Sequence, residues 1–340
     1  MVRLSERRTM PAQVLEPEFR SDQQITADFL AYLQSKLSDR VNYEVEPSRL
    51  TGGADARLYR YKLIDQEPRV LRILRPAREV AELLHHQVVH QILNQQGLNA
   101  PMIHHVCADK SVLGGVFAVM ELVPGQTVFG LAPELHAKAV GESMATMHGL
   151  LHVRPIVESF RRAGVPDERF LDSFVRQKAL GFFEEKTPWA ADLMAWLRDH
   201  LPLDAENLAV IHGDYHGGNL MFKNGSLSGV LDWSFCISGP AVDLAHTMND
   251  YLVFIPQIGW GMSSSSHLWE QIMDGVLQAY QAIRPLNHEH IKACRVFHLF
   301  GALTAGLAGG GIDFMRKPES QRDYLSFIEQ ATGIRLSPSA

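Results

Sequence analysis

The chain has 340 residues, of which 46% are hydrophobic, and its formal net charge at pH 7 is −6. This length can bury one large core or two modest ones, and the dispersed Lys and Arg residues do not favour nucleic acid as a partner. Three widely spaced cysteines indicate neither a disulfide framework nor a cysteine-based zinc site. The sequence has neither a secretory signal pattern nor an apolar run long enough to span a bilayer. We therefore expect a cytoplasmic protein without a membrane partner.

The first part of the chain predicts one helix followed by strands. Residues 1–20 are charged and proline-punctuated, which is typical of a flexible leader. Ser21 and Gln24 form a capping-box pattern before a helix whose apolar residues recur every four positions. That apolar face consists of Ile25, Phe29, Leu33 and Leu37. Residues 58–64 and 69–74 predict two paired strands, and residues 112–120 predict a second hairpin around Gly114-Gly115.

After Pro124-Gly125 the hydrophobic period becomes helical. Residues 134–151 predict a helix whose inward face consists of Leu135, Ala139, Met144, Met147 and Leu151. Further helices are predicted at 168–184, 188–200, 242–254, 267–284, 287–308 and 319–332. The aromatic residues between Tyr251 and Trp260, with Trp269 beyond them, are typical of a core, and an apolar acceptor pocket is the alternative.

A glycine-rich loop interrupts this helical part. Residues 208–211 predict a short buried strand, and the glycines at 213, 217 and 218 prevent its continuation as a helix. Residues 220–222 and 229–231 predict a hairpin around the two-residue turn Asn224-Gly225. The returning strand ends at Asp232, and the hairpin therefore predicts that Asp232 lies beside the loop that contains Asp214 and Asn219.

These three side chains match the needs of phosphoryl transfer. The phosphates of a nucleotide require hard cations such as Mg²⁺, which prefer carboxylate and amide oxygens, and this favours Asn219 and Asp232 as metal ligands. A further carboxylate, Asp214, could then accept the proton of an attacking hydroxyl group. Taken singly, Asp214 and Asn219 are typical turn-capping residues, and only their combination with Asp232 favours the functional interpretation.

The same residues resemble a known family. His212-Gly213-Asp214, four variable residues, Asn219 and then Asp232-Trp233 resemble the catalytic loop and metal-binding Asp of the aminoglycoside phosphotransferase and choline kinase family. The segment from Gly239 to Ala245 is similar to the family's following segment, although it lacks one Asp. The resemblance implies that His212 supports the loop through hydrogen bonds and that Asp243 braces it.

The resemblance also implies the fold. We expect an α+β, protein-kinase-like fold with two lobes. A small antiparallel-sheet N-terminal lobe, residues 21–123, would bind the nucleotide. A larger, mostly helical C-terminal lobe, residues 124–340, would bind the substrate and provide the catalytic residues. ATP would lie between the two lobes.

Nucleotide-binding residues follow from the same resemblance. The turn with Gly52, Gly53 and Ala54 would cover the phosphates, and Arg72 stands where protein kinases have a phosphate-binding Lys. An Arg on the solvent face of a strand is the alternative for Arg72. Its carboxylate partner would be Glu82, with Glu79 and His86 as alternatives. The backbone at Glu121 and Val123 would bind adenine.

The sequence thus predicts an ATP- and Mg²⁺-dependent phosphotransferase that acts on a small-molecule hydroxyl group. An antibiotic, an amino alcohol, a sugar and a hydroxyacyl metabolite are all open as acceptors, and the oligomeric state is unknown. One alternative is a catalytically inactive nucleotide-binding regulatory protein. Another is a protein kinase, which the short distance from Asp232-Trp233 to Asp243 disfavours.

Overall fold

The computed structural model describes residues 20–50, 56–150, 153–202, 208–233, 236–258, 266–311 and 313–338. The chain divides into two compact units. The sheet unit consists of residues 20–124 with Ser228–Leu231, and the helical unit of Gly125–Leu227 with the residues from Asp232 onwards. The leader up to residue 19 and the turn with Gly52, Gly53 and Ala54 lie outside the described residues.

The sheet unit is built around a five-stranded antiparallel sheet. Its elements are α1 (Asp22–Lys36), β1 (Tyr43–Arg49), β2 (Ala56–Leu63), β3 (Arg69–Leu74), α2 (Val80–Gln95), β4 (Ile103–Cys107), α3 (Lys110–Leu113) and β5 (Phe117–Glu121). The strand order is β1-β2-β3-β5-β4. In this register Arg72 of β3 lies opposite Leu58 of β2 and Ala118 of β5.

The side chains on the two faces of the sheet pack in two separate hydrophobic clusters. Because successive residues of a strand point to opposite faces, Leu71 of β3 packs in the cluster that contains Phe29 of α1. Val70 packs in the other cluster, with Leu83 of α2. The alternation places Arg72 on the same face of β3 as Val70, which is the face that α2 covers.

Two predictions about the sheet unit need correction. The capping box at Ser21 and Gln24 is confirmed, but Leu37 lies just beyond the end of α1 and is 60% exposed rather than buried. The predicted strand at Val112-Leu113 is wrong, because both residues belong to the short helix α3. On the side away from β3, β5 pairs instead with β4, which contains the exposed residues His104 and His105.

The elements that follow residue 125 are mostly helices. They are β6 (Gln126–Thr127), α4 (Pro133–Leu150), α5 (Val153–Arg162), α6 (Asp172–Lys186), α7 (Ala191–His200), β7 (Ala209–Ile211), β8 (Leu220–Lys223), β9 (Ser226–Val230), β10 (Cys236–Ser238), α8 (Ala241–Asn249), α9 (Ile255–Ile258), α10 (Ser266–Gln281), α11 (His288–Leu307) and α12 (Pro318–Thr332). A π-helical turn, Asp250–Phe254, connects α8 to α9. Among the described helices, none combines the length and the apolar character that crossing a bilayer requires.

The predicted helices all have counterparts, but the buried face of α4 was assigned wrongly at its start. Leu135 is 58% exposed, whereas the next residue, His136, is fully buried. α4 packs very closely on α10, because a Cβ on Gly141 would lie 2.4 Å from the carbonyl oxygen of Val276. The helix α5 was not predicted.

Short strands position the loop that follows β7. β7 pairs antiparallel with β10, with Ile211 opposite Cys236, while β6, β8 and β9 form a separate small sheet. Asn224 and Gly225 both have positive φ angles, 53° and 79°, as a type I′ turn requires, and the predicted hairpin of β8 and β9 is confirmed.

Candidate functional site

The structure brings Asp214 and Asn219 into direct contact. Asn219 donates from Nδ2 to the backbone oxygen of Asp214 at 2.9 Å and to its carboxylate Oδ2 at 3.0 Å. His216 lies on the other side of the same carboxylate, with Nε2 3.5 Å from Asp214 Oδ1. Asp232 is close enough for its charge to raise the pKa of His216. His216 thus lies beside Asp214 and Asn219, and it is the residue on which the charge of Asp232 acts.

Two residues of the site have left-handed backbone conformations. Gly213 has a φ of 83°, which a residue with a side chain rarely adopts. Asp232 has a φ of 53°, although it is not a glycine. A residue held in this sparsely populated region requires support from its surroundings, and such residues cluster at functional sites.

Asp243 holds the start of the loop. Its side chain is fully buried and accepts hydrogen bonds from the backbone N–H of His212 at 2.8 Å and of Gly213 at 2.7 Å. His148 Nε2 lies 3.2 Å from the same carboxylate, and Nδ1 of His148 lies 3.0 Å from the hydroxyl group of Tyr280. His212 in turn accepts a hydrogen bond from the backbone N–H of Asp214 at 3.1 Å.

Residues that sequence reasoning did not assign to the site hold the rest of the loop. The Tyr251 hydroxyl accepts a hydrogen bond from the Gly217 N–H at 2.9 Å and lies 2.6 Å from His136 Nε2. Thr247 donates to the Tyr215 carbonyl at 2.7 Å. Their side chains come from α4, α8 and the π-helical turn, and sequence spacing gave no signal for them. Of these residues, only Tyr251 belongs to the aromatic stretch that the sequence indicates, and it is fully buried.

The two adjacent glycines of the loop permit this close packing. A Cβ on Gly217 would lie 2.8 Å from His136 Nε2, and one on Gly218 would lie 2.9 Å from the ring of Phe129. Real Cβ atoms do not approach other atoms so closely, and any side chain would displace the loop. The glycines therefore serve packing as well as chain reversal.

His216 dominates the electrostatics of Asp214. Burial acts to raise the pKa of Asp214, but the hydrogen bond and charge of His216 outweigh it and hold that pKa below its ordinary value. Burial acts to lower the pKa of His216, and the hydrogen bond with Asp214 and its charge raise it above its ordinary value. Asp214 is consequently ionised across the physiological pH range.

Asp250, at the start of the π-helical turn, is an unusual neighbour of this pair. Its Oδ2 atom is buried and has no hydrogen-bond partner among the described residues. Burial, together with the charge of Asp214, raises the pKa of Asp250 to about 8. Single π turns occur frequently at functional sites, but the sequence contained no signal that identified this one.

The predicted nucleotide-binding residues belong to the sheet unit. Glu82 forms an ion pair with Arg78 at 3.4 Å, Glu79 forms one with Lys110 at 2.9 Å, and His86 is buried in α2. Glu121 donates from its backbone N–H to the Met102 carbonyl at 2.9 Å.

Val123 also belongs to the sheet unit and packs closely against Gly229. A Cβ atom added to Gly229 would lie 2.6 Å from the Val123 side chain. Arg72 is half-buried. The partner of Arg72 stays a prediction.

An antiparallel-sheet unit, a mostly helical unit and an Asp-Asn loop followed by a hairpin to a second Asp define a protein-kinase-like α+β fold. The model of the phosphotransferase enzyme family matches residues 46–286. The chain belongs to this family, which comprises the aminoglycoside phosphotransferases and related kinases.

The curated relatives that match this chain have low sequence identity to it. The chain is 27% identical over 272 residues to acyl-CoA dehydrogenase family member 11 of Pongo abelii, a match that covers 73% of this chain and 34% of that protein. It is 25% identical over 218 residues to a probable acyl-CoA dehydrogenase of Arabidopsis thaliana, covering 59% of this chain and 26% of that one. The chain thus spans only about a quarter to a third of these curated relatives.

A solved structure resembles the fold along nearly its whole length. It is that of a candidate aminoglycoside phosphotransferase from Ralstonia eutropha, with a TM-score of 0.61 and 19% identity. The match covers 92% of this chain and 97% of the other. At this identity the likeness concerns the fold.

Proposed function

We propose that this chain transfers the γ-phosphate of ATP to a hydroxyl group of a small molecule, with Asp214 as the catalytic base. The observation that carries the proposal is the contact of Asp214 with Asn219, in a loop whose backbone is held by buried side chains. Phosphoryl transfer depends mainly on positioning and on charge, and a rigid loop provides the positioning.

Asp214 is suited to orient the acceptor. The acceptor hydroxyl oxygen would attack the γ-phosphorus, the bond to the β–γ bridging oxygen would break, and ADP would leave. The hydroxyl proton would pass to the Asp214 carboxylate. Because His216 keeps Asp214 ionised, the carboxylate is ready to accept the hydrogen bond of that hydroxyl group.

The donor chemistry of Asn219 and Asp232 fits a divalent cation. Asn219 uses its Nδ2 group for Asp214, and its amide oxygen accepts no hydrogen bond among the described residues. Carboxylate and amide oxygens are the ligands that Mg²⁺ prefers. We assign Asn219 and Asp232 as the residues that would hold Mg²⁺, which would neutralise phosphate charge when bound.

The two units are proposed to divide the work at the predicted boundary, with nucleotide binding in residues 21–123 and catalysis in residues 124–340. Arg72 would provide positive charge for the phosphates, together with the turn at Gly52, Gly53 and Ala54. Glu82 remains the proposed partner of Arg72, with Glu79 and His86 as alternatives. Since the N–H of Glu121 already donates to Met102, adenine would have to use the Glu121 carbonyl and the backbone of Val123.

Among the possible acceptors, we favour a hydroxyacyl metabolite over an antibiotic, an amino alcohol or a sugar. This preference is supported by the names of two curated relatives, both of which refer to acyl-CoA dehydrogenases. A cytoplasmic location is proposed because the three cysteines are free and buried, as is usual in a reducing compartment.

A screen for ADP release tests the proposed function. ATP and Mg²⁺ would be incubated with antibiotics, amino alcohols, sugars and hydroxyacyl thioesters, in parallel with the variant Asp214→Asn. We expect one acceptor class to stimulate ADP release, and we expect the variant to lose about 10²- to 10⁴-fold of kcat while it still binds ATP. Equal turnover by the variant would refute the role of Asp214.

The same screen separates the alternatives. An inactive nucleotide-binding protein would bind ATP with Mg²⁺ but release no ADP with any acceptor. A protein kinase would transfer radiolabelled phosphate to proteins of a lysate and ignore the small molecules. Either outcome would replace the proposed function.

A further inference from the structure

The helical unit contains a cavity that is formed by other residues than the candidate catalytic site. Its volume is about 310 Å³, which lies at the lower end of the range for small-molecule sites. α8, α10, α11 and α12 contribute its walls. Residues that line it include Met248, Leu277, Ile291, Lys292, Arg295 and Phe327.

Arg295 is held rigidly in this cavity. Its Nε donates to Asn249 Oδ1 at 2.9 Å, and Asn249 Nδ2 donates back to the Arg295 carbonyl at 3.1 Å. The guanidinium carbon lies 4.3 Å from the centre of the Phe327 ring, a cation–π distance. The Nε edge of the planar guanidinium is therefore fixed, and its terminal N–H groups donate to no other described residue, so that they can bind a ligand.

Within the described part of the chain, no carboxylate balances the charge of Arg295. None of the described carboxylates lies within ion-pair distance of its guanidinium, and burial alone lowers its pKa to about 10. The neighbouring cation, Lys292, differs because it forms an ion pair with Glu289 at 2.5 Å. Arg295 is half-buried, and a partly desolvated cation without a counterion stabilises an anion that binds beside it.

We propose that this cavity binds a small amphipathic anion, with its carboxylate or phosphate group on Arg295 and its apolar part against Met248, Leu277 and Ile291. Arg binds both head groups through paired N–H donors, and the apolar walls favour a short hydrocarbon chain over a purely inorganic ion. The site is independent of the proposed phosphotransfer, because its occupation requires neither ATP nor Asp214.

Isothermal titration with four compounds tests this site. Hexanoate and hexyl phosphate carry both the charge and the chain, hexanol lacks the charge, and inorganic phosphate lacks the chain. We expect saturable binding of hexanoate or hexyl phosphate, with hexanol and inorganic phosphate about tenfold weaker or more. The stronger of the two anions identifies the head group, carboxylate or phosphate.

Variants locate the binding. Arg295→Gln should weaken the better anion about tenfold or more, and Arg295→Lys should retain part of the affinity because it keeps the charge. The matched control is Arg322→Gln, which makes the same change at an exposed position of α12 and should bind like the wild type. Ala331→Phe should fill the cavity from α12 while leaving Arg295 in place, and it should also abolish binding.

Several results would overturn the proposal. Absence of saturable binding of either anion to the wild type at millimolar concentrations would do so, as would binding by Arg295→Gln that equals that of the wild type. If Arg295→Gln fails to fold by circular dichroism, Ala331→Phe decides, because unchanged binding by this variant would place the ligand elsewhere. Phosphotransferase activity is not a readout, and a failed acceptor screen would leave this result intact.

Discussion

An acidic side chain lies near the catalytic loop at each end of α8, and the two side chains differ in their hydrogen bonding. At the start of the helix, Asp243 accepts hydrogen bonds from two backbone N–H groups and lies beside His148. At the end, Asp250 has a buried oxygen that accepts none among the described residues. One carboxylate therefore stabilises the loop, whereas the other is an energetic cost to the folded protein.

The two regions of the loop therefore differ in how well their polar groups are paired. The start of the loop, from His212 to Gly213, is fixed by the Asp243 carboxylate. The region near Asp250 has unsatisfied polar capacity close to Asp214 and His216.

The largest effect is expected at the start of α8. In Asp243→Asn, one carboxylate oxygen becomes an NH₂ group that opposes a backbone N–H, so a buried donor loses its acceptor. We expect a loss of about 3 kcal/mol in the free energy of unfolding, measured by urea denaturation. The control is Asp274→Asn, an exposed position on α10, where the change should stay within about 0.5 kcal/mol. Equal stability of the two variants would show that Asp243 does not hold the loop.

A smaller loss is expected from Tyr251→Phe, next to Asp250. The variant keeps the ring but removes the hydroxyl group that accepts from Gly217 and faces His136. We expect a loss of about 2 kcal/mol, because the Gly217 N–H stays buried without a partner. Faster hydrogen exchange at Gly217 would show that the effect is local. If this variant were as stable as the wild type, the Tyr251 hydroxyl would not be needed to hold the loop at Gly217.

The smallest effect, and the only stabilising one, is expected from Asp250→Asn. The folded protein keeps a proton on Asp250 up to about pH 8, because its pKa is raised, whereas an unfolded chain releases that proton near pH 3.8, as an ordinary Asp does. The native state thus binds more protons between these values, and wild-type stability falls as pH rises through this window. Because part of the side chain reaches solvent, we expect the variant to gain about 1 kcal/mol at pH 8.

Thermal unfolding at pH 5 and pH 8 measures this difference. The variant should approach the wild type at pH 5, where Asp250 is protonated in the fold, and exceed it at pH 8. A gain that is the same at both values would mean that charge on Asp250 is not the cause.

Much of the site was predictable because it depends on contacts that are local in sequence. Asp214 and Asn219 lie five residues apart in one loop, and their contact requires only that the glycines reverse the chain. The hairpin at Asn224-Gly225 was equally accessible, since a two-residue turn with positive φ angles specifies its own register. The family resemblance then extended these local patterns to the fold.

Predictions failed where a short pattern had two interpretations. The apolar pair Val112-Leu113 suggested a strand but forms a turn of helix, and the real strand contains the exposed pair His104-His105. On α4, hydrophobicity predicted that Leu135, rather than His136, is buried. His136 is buried with its Nε2 2.6 Å from the Tyr251 hydroxyl, while its buried Nδ1 has no hydrogen-bond partner among the described residues.

The amino-acid sequence alone determined the loop, its hairpin and the order of helices, because these follow from turn chemistry and from hydrophobic period over short stretches. Tertiary structure decided which distant polar groups meet, as Tyr251 does with Gly217 and Asn249 with Arg295. It also left the Oδ2 atom of Asp250 without a hydrogen-bond partner among the described residues. Such contacts join residues far apart in the chain. Burial fixes the energy of each one, and burial is a property of the folded packing rather than of any local pattern.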